Sequence, residues 1–485
     1  MNAHVWLVLV LFYSAFAFAA SADEWRQLSI YQFVTDRFAH PESDILPPCD
    51  TTERVYCGGT WAAAAERLDY IDAMGFTAIW ISPVVAQVEG KTGVGEAYHG
   101  YWGKNIYALN ARFGSEDDFK RLISAAHERG MRVMLDIALN HFAANPGDTI
   151  QYEGITPFNN ERYFHPKREI DWGNQLSIEM GWMGDGYLWL PDTNTEDDEV
   201  VETLVAWVKH VVNKYEIDGL RLDAARNVPM PFWRTICTEA GVYCQGEVWA
   251  KDPNIVCPYQ ECMDGLHNYP FMELATQAFA SSAGNIEDFV DVARQMQSRC
   301  NDVTLFGTFM ENHDNPRLGS ITTDFARLQT LAVLNILSDG IPIVYYGQEQ
   351  LLTGGNDPLN REALWLTRYS TTNNLVPTFT TLNAFRNLLV TGPSPFTQTL
   401  SVYNVLGTNL LSVRKGNVVL VLTNSGSGVA TNVTVPGFAA DEYLVEILTC
   451  TILQADDDGQ LRATLIGRPV VLYPRTLLAS GICQF

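Results

Sequence analysis

The sequence predicts an α/β fold: a (β/α)8 barrel, a loop-rich domain inserted after the third strand, and a C-terminal antiparallel β-sandwich. Three observations predict it. Short apolar runs alternate with amphipathic segments from Leu28 to about Arg386. A long excursion rich in Gly, Asn, Asp and aromatics follows the third run. After about Thr397 the texture changes to short alternating strands with glycine turns.

The elements follow in chain order. Residues 1–22 read as a secretory leader, because 5–20 form one uncharged apolar run. Ala17-Phe18-Ala19 and Ala20-Ser21-Ala22 both fit a small-residue cleavage pattern. The mature protein is therefore expected to be secreted and extracellular, with no membrane partner. The barrel is expected over 23–140 and 195–397. Its strand-like runs are SIYQFV, FTAIWIS, MRVMLDIAL, IDGLRLD, GVYCQGEV, TLFGTFM and GIPIVYY, with an eighth near MDGLHNYP. Ser115 to Arg129 and Asp197 to Lys214 read as two of the covering helices. Residues 141–194 form the inserted domain, since so long a stretch with little helical periodicity implies a function or a small fold of its own. Residues 398–485 form the sandwich, which carries the sequon Asn432-Val433-Thr434.

Composition narrows the function. At 485 residues the length suits roughly three domains of about 150 each. With 47% apolar and 18% charged residues the chain is globular. A net charge of −24 argues against nucleic acid as partner, which needs clustered Lys and Arg. It suits a soluble protein acting on a neutral substrate, or living at acidic pH; a monomer is expected. The nine cysteines of a secreted chain are disulfide candidates, and their odd number leaves at least one thiol over. Cys49 and Cys57 flank a short loop, and Cys450 and Cys483 flank the last stretch.

Chemistry in such a barrel sits where strands end and loops begin. The third run ends with Asp136, Asn140 and His141, and the fourth, GLRLD, with Asp223. The fifth ends with Glu247 and the seventh with His313 and Asp314. A single strand-end Asp is usually a cap or a structural ion pair, and a lone His is usually a satisfied core residue. Four such clusters converging on one mouth point instead to a site. Arg221 and Asp223 are two apart, so they share a strand face. Three carboxylates with several His and Arg suit glycoside hydrolysis: one attacks the anomeric carbon and a second, its pKa raised, protonates the leaving oxygen.

The chain resembles the fungal secreted members of the α-amylase family of glycoside hydrolases, family 13. The resemblance is carried by YCGGTW (56–61), GFTAIWISPV (75–84), AYHGYW (97–102), ENHDNPR (311–317), GQEQ (347–350) and GGNDPLNRE (354–362), with the strand ends above. It implies Asp223 as nucleophile, Glu247 as general acid/base and Asp314 as the third carboxylate. It implies that Arg221 braces Asp223, that Tyr101 stacks on the sugar, and that His141 and His313 hydrogen-bond it. His99 and Trp102 would flank Tyr101; Asp357 and Arg361 would hold the non-reducing side, and Trp172 the leaving-group side. A structural Ca²⁺ is implied between barrel and insertion, with Asn140, Glu179, Asp192 and the Asn227 carbonyl as oxygen ligands. Disulfides are implied for Cys49–Cys57, Cys257–Cys300 and Cys450–Cys483. Cys237, Cys244 and Cys262 are left, with Cys244 a buried thiol inside the fifth strand.

The chain departs from the family at several places. Arg226-Asn227 stands where Lys-His is usual on the leaving-group side. Val94 replaces a Tyr near the donor sugar, and Ala250 an Asp shortly after the acid. Arg168 and Gly181 occupy the places of a disulfide in the insertion. The expected activity is retaining endo-hydrolysis of α-1,4-glucosidic bonds in starch, glycogen and maltooligosaccharides, through a glycosyl-enzyme. The rivals are a 4-α-glucanotransferase with the same carboxylates and a non-catalytic α-glucan-binding protein. The leaving-group side decides between water and a second sugar, so the first rival stays open.

Overall fold

A computed structural model describes residues 20–144, 150–185, 187–372, 374–392, 395–479 and 481–483. Eight strands form one parallel sheet: β1 (Ile30–Phe33), β2 (Ala78–Ile81), β3 (Arg132–Ile137), β4 (Gly219–Leu222), β5 (Tyr243–Gly246), β6 (Gly265–Leu266), β7 (Gly307–Thr308) and β8 (Ile341–Tyr345). Their order is β6-β5-β4-β3-β2-β1-β8-β7. A parallel bridge from His267 to Gly307 brings the outer strands β6 and β7 together, so the sheet closes as a TIM barrel. The run near MDGLHNYP is thus a strand of only two residues, Gly265–Leu266.

Period-two alternation sorts the strand residues into two apolar layers. Ile30, Ala78, Trp80, Met134, Ile341 and Ile343 pack together inside the barrel. Their neighbours Tyr31, Ile79, Val133 and Val344 pack outward under the helices. The helices α1 (Glu116–Glu128) and α2 (Asp198–Tyr215) lie within a residue of the predicted spans. Ser115 caps α1 in a capping box with Asp118, and Asp197 caps α2. Later helices include α3 (Met230–Ala240), α4 (Tyr269–Phe279) and α5 (Ile286–Arg299).

The excursion after β3 contains a short helix, Gln175–Met180, and a two-stranded ribbon, Met183–Asp185 with Leu188–Leu190. Bridges from His141 to Asp192 and from Ala144 to Trp189 fold it back onto its own start.

After the barrel come eight antiparallel strands: β9 (Val402–Gly407), β10 (Leu410–Lys415), β11 (Val418–Thr423), β12 (Ala430–Pro436), β13 (Tyr443–Glu446), β14 (Thr451–Gln454), β15 (Gln460–Ile466) and β16 (Val470–Pro474). Six form one sheet, β9-β10-β11-β16-β13-β14, and β12 and β15 pair as a second. Val419, Val421, Val433, Leu461 and Leu472 fill the space between the sheets. The opposite face, with Val418, Leu420 and Val471, belongs to the main core beneath the barrel helices. A buried ion pair crosses this junction. Lys415 Nζ donates to the Ser338 carbonyl at 2.7 Å and meets Asp339 at 3.1 Å, and Asp339 also accepts the Ser401 hydroxyl at 2.8 Å.

Disulfides join Cys49–Cys57, Cys257–Cys300 and Cys450–Cys483. Cys237, Cys244 and Cys262 are free, Cys244 being buried. No helix among the described residues is long and apolar enough to cross a membrane.

Candidate active site

The strand ends meet in one cavity of about 580 Å³ at the C-terminal mouth of the barrel. Asp223, Glu247, Asp314, His99, Tyr101, Trp102, His141, Trp172, Arg226, Asn227, His313, Asp357 and Arg361 all line it. Arg221 lies beneath, fully buried.

Strand register explains how Arg221 works. Asp136 on β3 pairs with Arg221 on β4, so the two side chains emerge together. Arg221 Nη1 contacts Asp136 Oδ1 at 3.0 Å and Asp223 Oδ1 at 2.6 Å, while Nη2 contacts Glu247 Oε2 at 2.9 Å. One planar fork thus serves three carboxylates, which a lysine point charge would not do. Asp136 is further held by the Tyr101 hydroxyl at 2.6 Å and Trp80 Nε1 at 3.1 Å. Burial pushes the Asp136 carboxyl up to about 7, against the lowering effect of Arg221.

Glu247 is set for proton transfer. Burial pushes its carboxyl up to about 7; Arg221 opposes this, and the charges of Asp223 and Asp314 add to it. Its Oε2 also accepts the Ala224 backbone N–H at 3.0 Å. Ala224 has φ 47°, a left-handed conformation uncommon for a residue with a Cβ, directly after Asp223. Tyr269, which sequence reasoning did not single out, also holds Glu247, its hydroxyl donating to Oε1 at 2.9 Å, and Trp249, likewise unremarked, stacks on the Tyr269 ring. Trp249 lines the cavity and is half exposed.

Asp314 lies 3.1 Å from His313 Nε2 and 3.4 Å from Arg361 Nη2. Burial raises its carboxyl to about 6, with Arg361 opposing. Arg361 also pairs with Asp357 at 3.0 Å. His313 is pushed well below the usual histidine range by burial, so its ring is neutral, and Gln32 Nε2 contacts its Nδ1 at 2.9 Å. Tyr101 stacks on His313 with centroids 5.1 Å apart and planes 4° apart. His141 Nε2 is 2.9 Å from the Tyr101 carbonyl.

Near this mouth lies a buried oxygen cluster. The Asn140 side-chain oxygen sits 2.9 Å from the Asn227 carbonyl and 3.2 Å from Asp192 Oδ1; turning the amide over would let its nitrogen donate to both. Asp192 Oδ2 is held by His165 Nδ1 at 2.7 Å. Glu179 lies on the short helix Gln175–Met180 of the insertion. One helical turn from Gln175, it accepts from Gln175 Nε2 at 2.9 Å, and that amide also donates to the Arg226 carbonyl at 2.9 Å. The Arg226 guanidinium reaches Gln175 Oε1 and the Trp249 carbonyl, each at 3.4 Å. Val94 and Ala250 do not line the cavity. Positions 168 and 181, without their disulfide, remain close: the Trp182 N–H donates to the Arg168 carbonyl at 2.9 Å.

The family described as "Alpha amylase, catalytic domain" matches residues 32–375, and "Alpha-amylase, domain C" matches 404–485. The chain belongs to the α-amylase family. Among curated α-amylases, it is 42% identical to alpha-amylase 2 of Schwanniomyces occidentalis over 476 residues, covering 96% of this chain and 94% of that one. It is 41% identical to the alpha-amylase of Saccharomycopsis fibuligera, with the same coverage. Among solved structures, an α-amylase from Malbranchea cinnamomea superposes with a TM-score of 0.93 at 41% identity, covering 96% of this chain and all of that one. An α-amylase from Geobacillus thermoleovorans, solved with acarbose, matches with a TM-score of 0.79 at 27% identity over 93% of this chain and 99% of that one.

Proposed function

We propose that the protein is a secreted α-amylase that cleaves internal α-1,4-glucosidic bonds of starch-like glucans and maltooligosaccharides with retention. One observation carries this reading: a single buried guanidinium holds two carboxylates at the mouth of a sugar-sized cavity, with a third carboxylate on its rim. Sharing adjacent nitrogens of one Arg keeps Asp223 and Glu247 near each other, as the roughly 5 Å spacing of retaining enzymes requires.

In this mechanism Asp223, held by Arg221 Nη1 at 2.6 Å, attacks the anomeric carbon. Glu247, protonated below about pH 7, gives its proton to the leaving oxygen. Asp314 and neutral His313 grip hydroxyls of the distorted sugar, and Tyr101 stacks on its face. Once Asp223 is esterified its charge no longer opposes ionisation of Glu247. Glu247 then serves as base toward water, or toward a sugar hydroxyl.

The oxygen cluster fits Ca²⁺: Asn140, Asp192 and the Asn227 carbonyl are hard, buried donors with one formal negative charge among their side chains. A bound ion would tie the insertion to the ends of β3 and β4. Ser21 caps the first turn of the described chain, Ala22–Trp25, so leader cleavage after Ala19 is favoured over cleavage after Ala22. Asn432 is exposed on β12, where a glycan has room.

Incubation of the purified protein with maltoheptaose, followed over time, tests the activity. Hydrolysis yields only shorter sugars. Mainly longer chains at low conversion would make the protein a glucanotransferase, and an unchanged substrate would make it a binding protein.

A further inference from the structure

Gln32 is the one amide of β1, set in the run IYQF, and it has no part in the mechanism above. Period two sorts its neighbours: Ile30 packs inside the barrel, Tyr31 and Phe33 outside. Gln32 therefore points inward, and it is buried. Register sets it level with Trp80 on β2 and Tyr345 on β8. A buried amide costs stability unless its polar atoms are paired. Gln32 Oε1 has no partner among the described residues. An apolar side chain would cost this layer of the barrel less, so stability alone does not account for glutamine here.

The other end of the amide does. Gln32 Nε2 lies 2.9 Å from His313 Nδ1. The opposite ring nitrogen, His313 Nε2, faces Asp314 Oδ2 at 3.1 Å. Asp314, ionised above about pH 6, can only accept, so His313 Nε2 carries the hydrogen. The ring holds no second proton. Burial disfavours it most, and the charges of Arg221 and Arg361, with His267 and His99, add to this. His313 Nδ1 is thus a lone pair, and the Gln32 amide is the donor that meets it. Tyr101 stacks on the ring at 5.1 Å and Trp80 meets it edge-on at 6.2 Å. Those contacts set the plane of His313 but are indifferent to which nitrogen bears the hydrogen.

We propose that Gln32 is a positioning residue: by donating to His313 Nδ1 it fixes the tautomer in which the His313 Nε2–H faces Asp314 and the hydroxyls of the bound sugar. In the other tautomer His313 would turn a lone pair toward the Asp314 carboxylate and offer the sugar no donor. The kinetic consequence rests on the glycoside hydrolase reading; the tautomer does not.

Gln32→Met keeps the length of the side chain and deletes the donor. It is expected to lower kcat on maltoheptaose roughly tenfold, the effect of one lost buried hydrogen bond carried into the transition state. KM should change little. Nitrogen-15 spectra of the imidazoles at about pH 7.5, with His313 assigned by its absence in His313→Phe, should show Nε2–H alone in the parent. Gln32→Met should show a mixture of Nε2–H and Nδ1–H. In the His313→Phe background Gln32→Met should cost no further activity, because no ring nitrogen is left to hold. A purely structural amide would lower the melting temperature, cost the same in both backgrounds and leave the His313 signals unmoved. An unchanged kcat, equal costs in the two backgrounds, or a pure Nε2–H signal in Gln32→Met would each overturn the proposal. An Nδ1–H ring in the parent would overturn it whether or not the variant folds. If the parent leaves maltoheptaose uncut, the glycoside hydrolase reading fails, and the nitrogen spectra still decide the tautomer.

Discussion

Arg221→Met removes the cation that touches Asp136, Asp223 and Glu247. Methionine fills similar space, so the change is chiefly one of charge. Removing one partner of a buried ion pair costs about 3–5 kcal/mol, because the other charge stays buried and uncompensated. That cost depends on pH in a predictable direction. Arg221 is the largest influence lowering both Asp136 and Glu247, which burial nevertheless lifts to about 7. Without it both carboxyls move higher. A raised folded-state pKa means that the folded protein holds protons the unfolded chain has released, so stability falls as pH rises from about 4 through the folded value. The variant should lose about 3–5 kcal/mol at pH 8 and clearly less at pH 5, where the carboxyls take up protons instead. The same free energy missing from the transition state lowers kcat roughly 10²- to 10⁴-fold. Guanidinium unfolding at the two pH values, beside initial rates on maltoheptaose, reads both effects. Equal destabilisation at pH 5 and pH 8, or a nearly unchanged kcat, would refute the shared-cation account.

Three further outcomes are expected. Asp223→Asn should abolish turnover while leaving the melting curve near the parent's; near-normal activity would remove Asp223 as nucleophile. EDTA should lower the melting temperature, and added Ca²⁺ should restore it; a melt indifferent to both would count against the oxygen cluster as a calcium site. Arg226→Lys with Asn227→His should change the ratio of longer to shorter products from maltoheptaose by several-fold; an unchanged ratio would clear these two positions of control over transfer.

The barrel was legible in the sequence because parallel strands buried on both faces read as apolar runs, and their polar ends stand out. Arg221 and Asp223 declared their shared face through spacing alone. That Arg221 also serves Asp136 and Glu247 depends on the pairing of β3 with β4 and the return of the chain after β5, which no local pattern encodes. The sixth strand was faint because Gly265–Leu266 is too short to show a period. Trp249 and Tyr269 went unnoticed since an aromatic after a strand is usually core, and their stack forms only when β5 and β6 lie side by side. Glu179 enters the calcium set by resemblance alone, and its contact in the fold is with Gln175, one helical turn away. The Arg226-Asn227 departure was visible as letters, but the grip of Gln175 on the Arg226 carbonyl was not.

The Lys415–Asp339 pair bears on how far this protein can be cut into modules. Asp339 sits in the turn leading into β8, and its only ion-pair partner among the described residues arrives from the sandwich. A chain truncated near residue 397 would leave that carboxylate facing a newly bared apolar surface. The C-terminal sheet is thus a wall of the catalytic unit, with no freedom to be exchanged as an appendage. Grafting a relative's sandwich onto this barrel would require lysine and aspartate to be transplanted as a matched set.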